Sequence, residues 1–188
     1  MTRVKVAVSR GMAVTLIHHP STPGSPAERI DVDLRREGTR LRLTYCLGGE
    51  TARIRWSRQV GPVTLESLSS AGRKDELWKH TCFELFISTD DGYREFNFAT
   101  SGQWASYSFS GYRQEMMPAK EEAWLVCLEG RGSYLDLGFV VDLPPSADRI
   151  GLSAVIEDVD GEKTYWALAH PSDKPDFHHP DSFVLDLP

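Results

Sequence analysis

The strongest constraint on the fold is the alternation of apolar and polar residues in short runs bounded by Gly, Pro, Asp and Ser. A side-chain period of two is typical of β-strands, and turns such as Asp90-Asp91-Gly92 and Asp160-Gly161 favour antiparallel hairpins. The predicted strands are residues 13–18, 29–35, 40–47, 52–56, 81–88, 93–99, 104–109, 124–129, 134–142, 150–157, 164–169 and 183–187. The sequence therefore predicts an all-β fold, a β-sandwich of two antiparallel sheets.

The 188 residues are predicted to form one domain, residues 1–188, because strand patterning continues on both sides of the predicted loops at 19–27 and 59–74. The net charge of −6 and the absence of a basic run predict no nucleic-acid partner. The sequence has no apolar run long enough to predict a membrane span. Charged residues interrupt the N-terminal segment, so we expect no signal peptide and a cytoplasmic location. Three widely spaced cysteines predict neither a disulfide framework nor a cysteine zinc site.

Strand parity separates the side chains near the middle of the chain into two faces. The residues predicted to fill the core between the sheets are Phe83, Leu85, Ile87, Phe96, Phe98, Tyr107 and Phe109. The residues predicted for the outer face are His80, Glu84, Tyr93, Glu95, Asn97 and Trp104. Rings for stacking and fixed polar groups on one face are what a site for a polar ligand requires.

The sequence contains no G-x-S-x-G, H-E-x-x-H or phosphate-binding glycine motif, so no catalytic residue is predicted. One enzymatic alternative is a zinc or iron site that uses the C-terminal histidines. Its candidate ligands are His80, His170, His178, His179, Glu84, Asp173 and Asp176.

Three stretches carry a family resemblance: LWKHTCFE (77–84), YREFNFATSGQWASYSFSGYR (93–113) and YWALAHPSDKPDFHH (165–179). They resemble the DOMON-like ligand-binding domains, which are related to the family-nine carbohydrate-binding modules and to haem-binding DOMON domains. The resemblance implies a jelly-roll-like sandwich with a ligand site on one sheet.

In the sugar-binding relatives two tryptophans hold a sugar unit, and the resemblance carries these positions to Trp78 and Trp166. It also implies polar contacts from Glu84 and Asn97. His80 and Thr81 stand where that family has an acidic pair. The haem-binding relatives use a Met and a His as axial ligands, which makes Met116 or Met117 with His170 or His178 an alternative.

We therefore expect a non-catalytic protein that binds a small polar ligand, with a carbohydrate as the first candidate. The predicted ligand-binding residues are Trp78, His80, Glu84, Asn97, Trp104, Arg113, Trp166, His170 and His178. No cofactor or metal is predicted, and the sequence does not indicate an oligomeric state. Haem binding, a metal-dependent activity and a protein-interaction role remain the alternatives.

Overall fold

The computed structural model describes residues 11–57 and 72–187, and these form two antiparallel sheets that pack face to face. The first sheet has the strand order β1-β3-β4-β10-β9. Its strands are β1 (Met12–Thr15), β3 (Ala27–Glu37), β4 (Arg40–Gly49), β9 (Ala123–Arg131) and β10 (Tyr134–Asp142).

The second sheet has the strand order β2-β12-β11-β5-β6-β7-β8, with β13 paired to the start of β11. Its strands are β2 (Ile17–His18), β5 (Cys82–Thr89), β6 (Gly92–Phe98), β7 (Trp104–Phe109), β8 (Met117–Pro118), β11 (Arg149–Glu157), β12 (Lys163–Ala167) and β13 (Leu185–Asp186). Short 3-10 turns cover Thr51–Arg53, Leu77–Lys79 and Pro180–Ser182, and the described part of the chain has no α-helix. The predicted fold class, a two-sheet antiparallel β-sandwich, is confirmed.

The core between the sheets is built from one side-chain parity of each strand. In β4 the inward residues Leu41, Leu43, Tyr45 and Leu47 are fully buried, and the residues between them are partly or fully exposed. Phe98 of the second sheet stacks on Phe139 of the first, with their ring centroids 4.4 Å apart. Burial of this apolar surface is the main force that holds the two sheets together.

A polar contact also joins the sheets inside the core. The hydroxyl of Tyr45 on β4 donates a hydrogen bond of 2.5 Å to the backbone carbonyl of Glu84 on β5. Both residues are almost completely buried, so a lost partner would leave a polar atom unsatisfied in an apolar interior. This bond fixes the position of β5 relative to the first sheet. It is made at Glu84, whose carboxyl group is on the outer face of the second sheet.

The hairpin predicted at residues 90–92 joins β5 to β6, and its glycine is required by the packing. Gly92 has a φ of 126°, and a Cβ atom at this position would lie 1.9 Å from the carbonyl oxygen of Phe109. Only glycine combines this backbone conformation with so close an approach of the neighbouring strand. The resulting pairing places Glu84 opposite Asn97 and Phe86 opposite Glu95.

Two predicted strands differ from the structure. Residues 52–56 are not a strand, since the 3-10 turn Thr51–Arg53 is followed only by an isolated bridge from Ile54 to Asp158. The run at 13–18 divides at the buried residue Leu16, so that β1 belongs to the first sheet and β2 to the second. Of the loop predicted at 59–74, residues 59–71 lie outside the described residues.

The predicted faces are right for β5 and β6 and wrong for β7. Phe83, Leu85, Ile87, Phe96 and Phe98 lie in the core between the sheets. Trp104 pairs with Phe98 and packs against that core, whereas Tyr107 and Phe109 belong to a second cluster on the outer face. Aromatic residues stand at both parities of β7, and its pairing with β6 determines which of them turns inward.

The described residues include no helix of the length and apolarity needed to cross a membrane.

The Tyr45 hydroxyl gives a test of the contact between the sheets. We expect Tyr45→Phe to lower the free energy of unfolding by about 1–2 kcal/mol, because the buried hydrogen bond to the carbonyl of Glu84 is lost. The measurement is chemical denaturation, with Tyr134→Phe as a control because Tyr134 is 68% exposed. Equal stabilities for the two variants would contradict the role assigned to this hydrogen bond.

Candidate functional site

A cavity of about 460 Å³ lies on the outer face of the second sheet. Its floor comes from β5, β6, β7, β11 and β12, and its cover comes from the 3-10 turn Leu77–Lys79 and from two loop segments around residues 113–116 and 175–178. The lining residues are Trp78, Glu84, Glu95, Phe109, Arg113, Met116, Val155, Tyr165, Pro175, Phe177 and His178. The outer face is therefore roofed by loops, and the cavity lies beneath them.

Glu84 is 3% exposed and points from the central strand β5 into this cavity. Its Oε2 atom accepts a hydrogen bond of 2.9 Å from the hydroxyl of Ser153, the residue opposite it on β11. Within residues 11–57 and 72–187, Oε1 accepts no hydrogen bond, yet it is not sealed away from solvent. One carboxyl oxygen is thus anchored to the sheet and the other remains available in the cavity.

Glu95 repeats this arrangement on the neighbouring strand β6. Its Oε1 atom accepts a 2.7 Å hydrogen bond from the amide of Asn97, and the Cys82 thiol in turn donates to Asn97. Its Oε2 atom lies 3.7 Å from Nε2 of His178, beyond hydrogen-bond distance. Because Glu84 faces Asn97 across the pair of strands, Glu84 and Glu95 are diagonal neighbours on the same face.

Burial raises the pKa of both carboxyl groups, and the charge of Glu95 adds to the effect at Glu84. For Glu84 burial is the larger cause and the charge of Glu95 the second, while the Ser153 hydrogen bond and the charge of Arg113 act in the opposite direction. Burial also raises the pKa of Glu95, against the hydrogen bond from Asn97 and the charge of Arg113. The pair therefore retains a proton at a pH where exposed glutamates are fully ionised.

Arg113 lies at the rim of the cavity and is held there by Asp176. Its guanidinium donates to Asp176 Oδ1 at 2.9 Å, and the hydroxyl of Tyr112 donates to Asp176 Oδ2 at 2.6 Å. Partial burial acts to raise the pKa of Asp176, but these two hydrogen bonds hold it below its usual range. Asp176 is consequently ionised, and it neutralises the charge of Arg113.

His178 presents a neutral imidazole to the cavity. Burial is the main cause that lowers its pKa to about 4, and the charge of Arg113 adds to the effect. The Tyr93 hydroxyl accepts the backbone N–H of Arg113 at 3.2 Å and lies 2.7 Å from Nδ1 of His178. The other ring nitrogen, Nε2, lies on the side of Glu95, 3.7 Å from its Oε2 atom.

The walls of the cavity are aromatic. Tyr165 and Phe177 contact each other with a centroid separation of 6.0 Å, and Phe109 stacks on Tyr93 at 4.6 Å. Trp78 meets Tyr107 edge to face at 5.6 Å. These contacts hold the rings in place around the two carboxyl groups, so the cavity offers apolar flat surfaces as well as polar anchors.

Backbone strain concentrates at the same place. In the described part of the chain, the non-glycine residues with positive φ are Glu76 at 64°, Arg113 at 53° and Glu115 at 51°. Arg113 lines the cavity, Glu76 precedes the lining residue Trp78 by two positions, and Glu115 directly precedes Met116. Left-handed backbone at non-glycine residues costs free energy and clusters at functional sites.

Four of the predicted ligand-binding residues meet in the cavity: Trp78, Glu84, Arg113 and His178. Asn97 lies beneath them as the hydrogen-bond partner of Glu95. The structure therefore brings these five residues together at one place.

The other four predicted residues lie elsewhere. Trp104 and Trp166 face the core between the sheets, where Trp166 stacks on His18 at 4.8 Å. His80 is largely exposed and pairs with Glu157 at 2.7 Å. His170 contacts the backbone carbonyl of Ile17 at 2.8 Å and the ring of His19. These four residues do not line the cavity, because Trp104 and Trp166 have the inward parity of β7 and β12 and the two histidines contact local partners.

Several lining residues were not among the predicted site residues. Glu95 was placed on the correct face by parity, and this was the available signal for it. Tyr165 occupies the wall position that was assigned to its neighbour Trp166, since both parities of β12 carry an aromatic residue. Met116, Pro175 and Phe177 come from irregular loops, where no periodicity indicates a direction.

The alternatives for the histidines are a metal site and a haem site. No group of three or more His, Cys, Asp or Glu side chains that could hold a metal ion occurs among the described residues. Met116 and His178 do line the same cavity, as the haem alternative requires. Nδ1 of His178 lies 2.7 Å from the Tyr93 hydroxyl, however, and Nε2 lies 3.7 Å from Oε2 of Glu95, so both ring nitrogens already face polar partners.

Comparison with protein-family models finds no match to this chain, and no curated protein or solved structure matches it either. The resemblance to DOMON-like domains therefore stays a prediction.

The raised pKa of Glu84 makes a prediction about stability. In the unfolded chain a glutamate ionises near its ordinary pKa of 4.5, whereas the folded protein holds the proton to higher pH. Stability is then full below the unfolded pKa and declines as the pH rises toward the folded pKa. We expect Glu84→Gln to flatten this decline, so that the variant gains thermal stability over the unsubstituted protein at about pH 8 but not at about pH 4.

The measurement is the thermal midpoint at a series of pH values. Glu129→Gln serves as the control because it makes the same chemical change at an exposed surface position. A Glu84→Gln protein that loses stability with pH as steeply as the control would show that the carboxyl group ionises normally.

Proposed function

We propose that this protein binds a small polyhydroxylated ligand, a carbohydrate, in the cavity above β5 and β6. The observation that carries the proposal is the pair of carboxyl oxygens, one each on Glu84 and Glu95, that have no hydrogen-bond partner within the described residues but remain open to the cavity. Buried polar atoms are normally paired, and an unpaired acceptor in a cavity is suited to a ligand that supplies the donor.

Sugar hydroxyls match the polar groups of this cavity. They can donate to the free oxygens of Glu84 and Glu95, and they can form a hydrogen bond with Nε2 of His178. The guanidinium of Arg113 has further donors besides the one that binds Asp176. The carboxyl groups are anchored by Ser153 and Asn97, which keeps their orientation fixed before a ligand binds.

The apolar part of the cavity suits the other side of a sugar ring. Trp78, Tyr165 and Phe177 supply flat surfaces on which the C–H face of a pyranose can stack. The volume of about 460 Å³ lies within the range of roughly 300–1,000 Å³ that is usual for small-molecule sites. The resemblance to carbohydrate-binding modules supports the same ligand class through Trp78 and Glu84.

The proposal assigns binding without catalysis, and a cytoplasmic location remains part of it. Among the described residues that line the cavity there is no serine, cysteine or lysine.

Tryptophan fluorescence tests the proposal with a built-in control. We expect the emission of the purified protein to change when a sugar from a panel of neutral and amino monosaccharides and disaccharides binds, because Trp78 lines the cavity. Trp78→Phe should abolish this response. Trp104→Phe should retain it, since Trp104 packs toward the sheet interface.

Calorimetry with the same panel measures affinity independently of the fluorophore. Absence of heat and of fluorescence change for every sugar would refute carbohydrate binding. A Soret absorption band in the purified protein would instead identify a haem site, and co-purification of a stoichiometric protein would indicate an interaction domain.

A further inference from the structure

We propose that the ligand of this cavity carries a positively charged nitrogen, as in an amino sugar, and that the ammonium group binds between the free oxygens of Glu84 and Glu95. This inference rests on the proposed function and narrows its ligand class. It follows from the charges that the cavity leaves without a partner, from the position of the two oxygens and from the aromatic walls.

The first step is the balance of charge. Arg113 is the cation nearest to the two carboxyl groups, but it forms its ion pair with Asp176 at 2.9 Å. Across residues 11–57 and 72–187, no Lys or Arg forms an ion pair with Glu84 or Glu95. His178 is neutral and lies 3.7 Å from Glu95. The protein thus supplies two buried carboxyl groups and no direct counter-charge.

The second step is the position of the acceptors. Glu84 and Glu95 are diagonal neighbours on adjacent strands, a relationship in which side chains of this length reach a common point. The other oxygen of each carboxyl group is fixed by Ser153 or Asn97. An ammonium group has three donors and no acceptor, so it can serve both free oxygens at once and direct its third donor elsewhere.

The third step is the aromatic lining. Trp78, Phe109, Tyr165 and Phe177 surround the same space. The face of an aromatic ring attracts a cation, and the attraction is strongest where water is excluded. Aromatic walls beside buried carboxyl groups therefore favour a cationic nitrogen over a neutral hydroxyl at this point.

The raised pKa of the two carboxyl groups predicts how the free and bound states differ. Without ligand the pair holds a proton in place of a counter-ion, and a bound ammonium group makes this proton unnecessary. Binding should therefore release a proton to solvent. The other titratable or charged groups around the pair are Tyr45, Cys82, Tyr93, Tyr107, Arg113, Asp176 and His178. Near pH 7 burial keeps the thiol and phenol groups among them protonated and His178 neutral. The released proton therefore comes from the glutamate pair.

Matched sugars test the inference on the unsubstituted protein. The probes are D-glucosamine, D-glucose and N-acetyl-D-glucosamine, together with the corresponding galactose series, because the members of each set differ at one ring position, C2, and only the free amine is charged there. Calorimetry is performed near pH 7 in phosphate and in MOPS, two buffers of different ionisation enthalpy. Tris is excluded because it is itself a polyhydroxylated amine.

We expect the free amine of at least one series to bind about tenfold or more tightly than its two neutral analogues, with net proton release. Glu95→Gln and Glu84→Gln should each reduce this preference, whereas Glu129→Gln should keep it. Thermal melts verify that each variant is folded.

The outcomes separate this inference from the proposed function. Equal affinities for the amine and for its neutral analogues would overturn the ammonium site and leave carbohydrate binding intact. A preference for the amine that survives in both folded glutamine variants would also overturn it, because the charge would then be recognised elsewhere. Absence of binding by every sugar would refute both proposals.

Discussion

The architecture depends on a central strand that is buried on both sides. From Cys82 to Ile87 every residue of β5 is buried, because one face packs against the first sheet and the other lies beneath the loops. A strand of this kind normally carries apolar residues at both parities. Glu84 breaks that rule, and its backbone carbonyl is at the same time the acceptor of the hydrogen bond from Tyr45 that crosses the core. Glu84 thus contributes both to the contact between the two sheets and to the cavity.

Such a carboxyl group lowers the stability of the fold. Ionising a buried glutamate without a counter-charge is unfavourable, and a leucine at the same position would pack without this cost. Ser153 and Asn97 reduce the penalty by one hydrogen bond for each carboxyl group, and the pair reduces it further by retaining a proton. Within residues 11–57 and 72–187 the second oxygen of each group accepts no hydrogen bond from the protein. A structural role explains the anchored oxygens, and the proposed ligand would supply a partner for the other two.

The sequence predicts the sandwich and the floor of the cavity better than its walls and roof. Parity predicts the faces of β5 and β6 correctly, because Phe83 and Phe96 mark the core side of these strands. The residues of the other parity, Glu84, Glu95 and Asn97, are then on the opposite face. Parity fails for β7 and β12, where aromatic residues occupy both parities and only the pairing with neighbouring strands decides. In the roof, Arg113 is distant in sequence from Asp176 and His178, and their meeting depends on the hydrogen bonds of Asp176 and Tyr93, which no local pattern encodes.

The exchange of Trp166 for Tyr165 changes the interpretation of the site. A pair of opposed tryptophans would bind a sugar mainly by stacking, with polar groups at its edge. The described residues that line this cavity include one tryptophan, smaller aromatic rings, and two carboxyl groups in its floor. Stacking contributes less in such a geometry and charge contributes more, because electrostatic attraction strengthens where water is excluded. The cavity has Tyr165 where the two-tryptophan pattern requires Trp166. This difference supports the proposal of a cationic sugar over a neutral one.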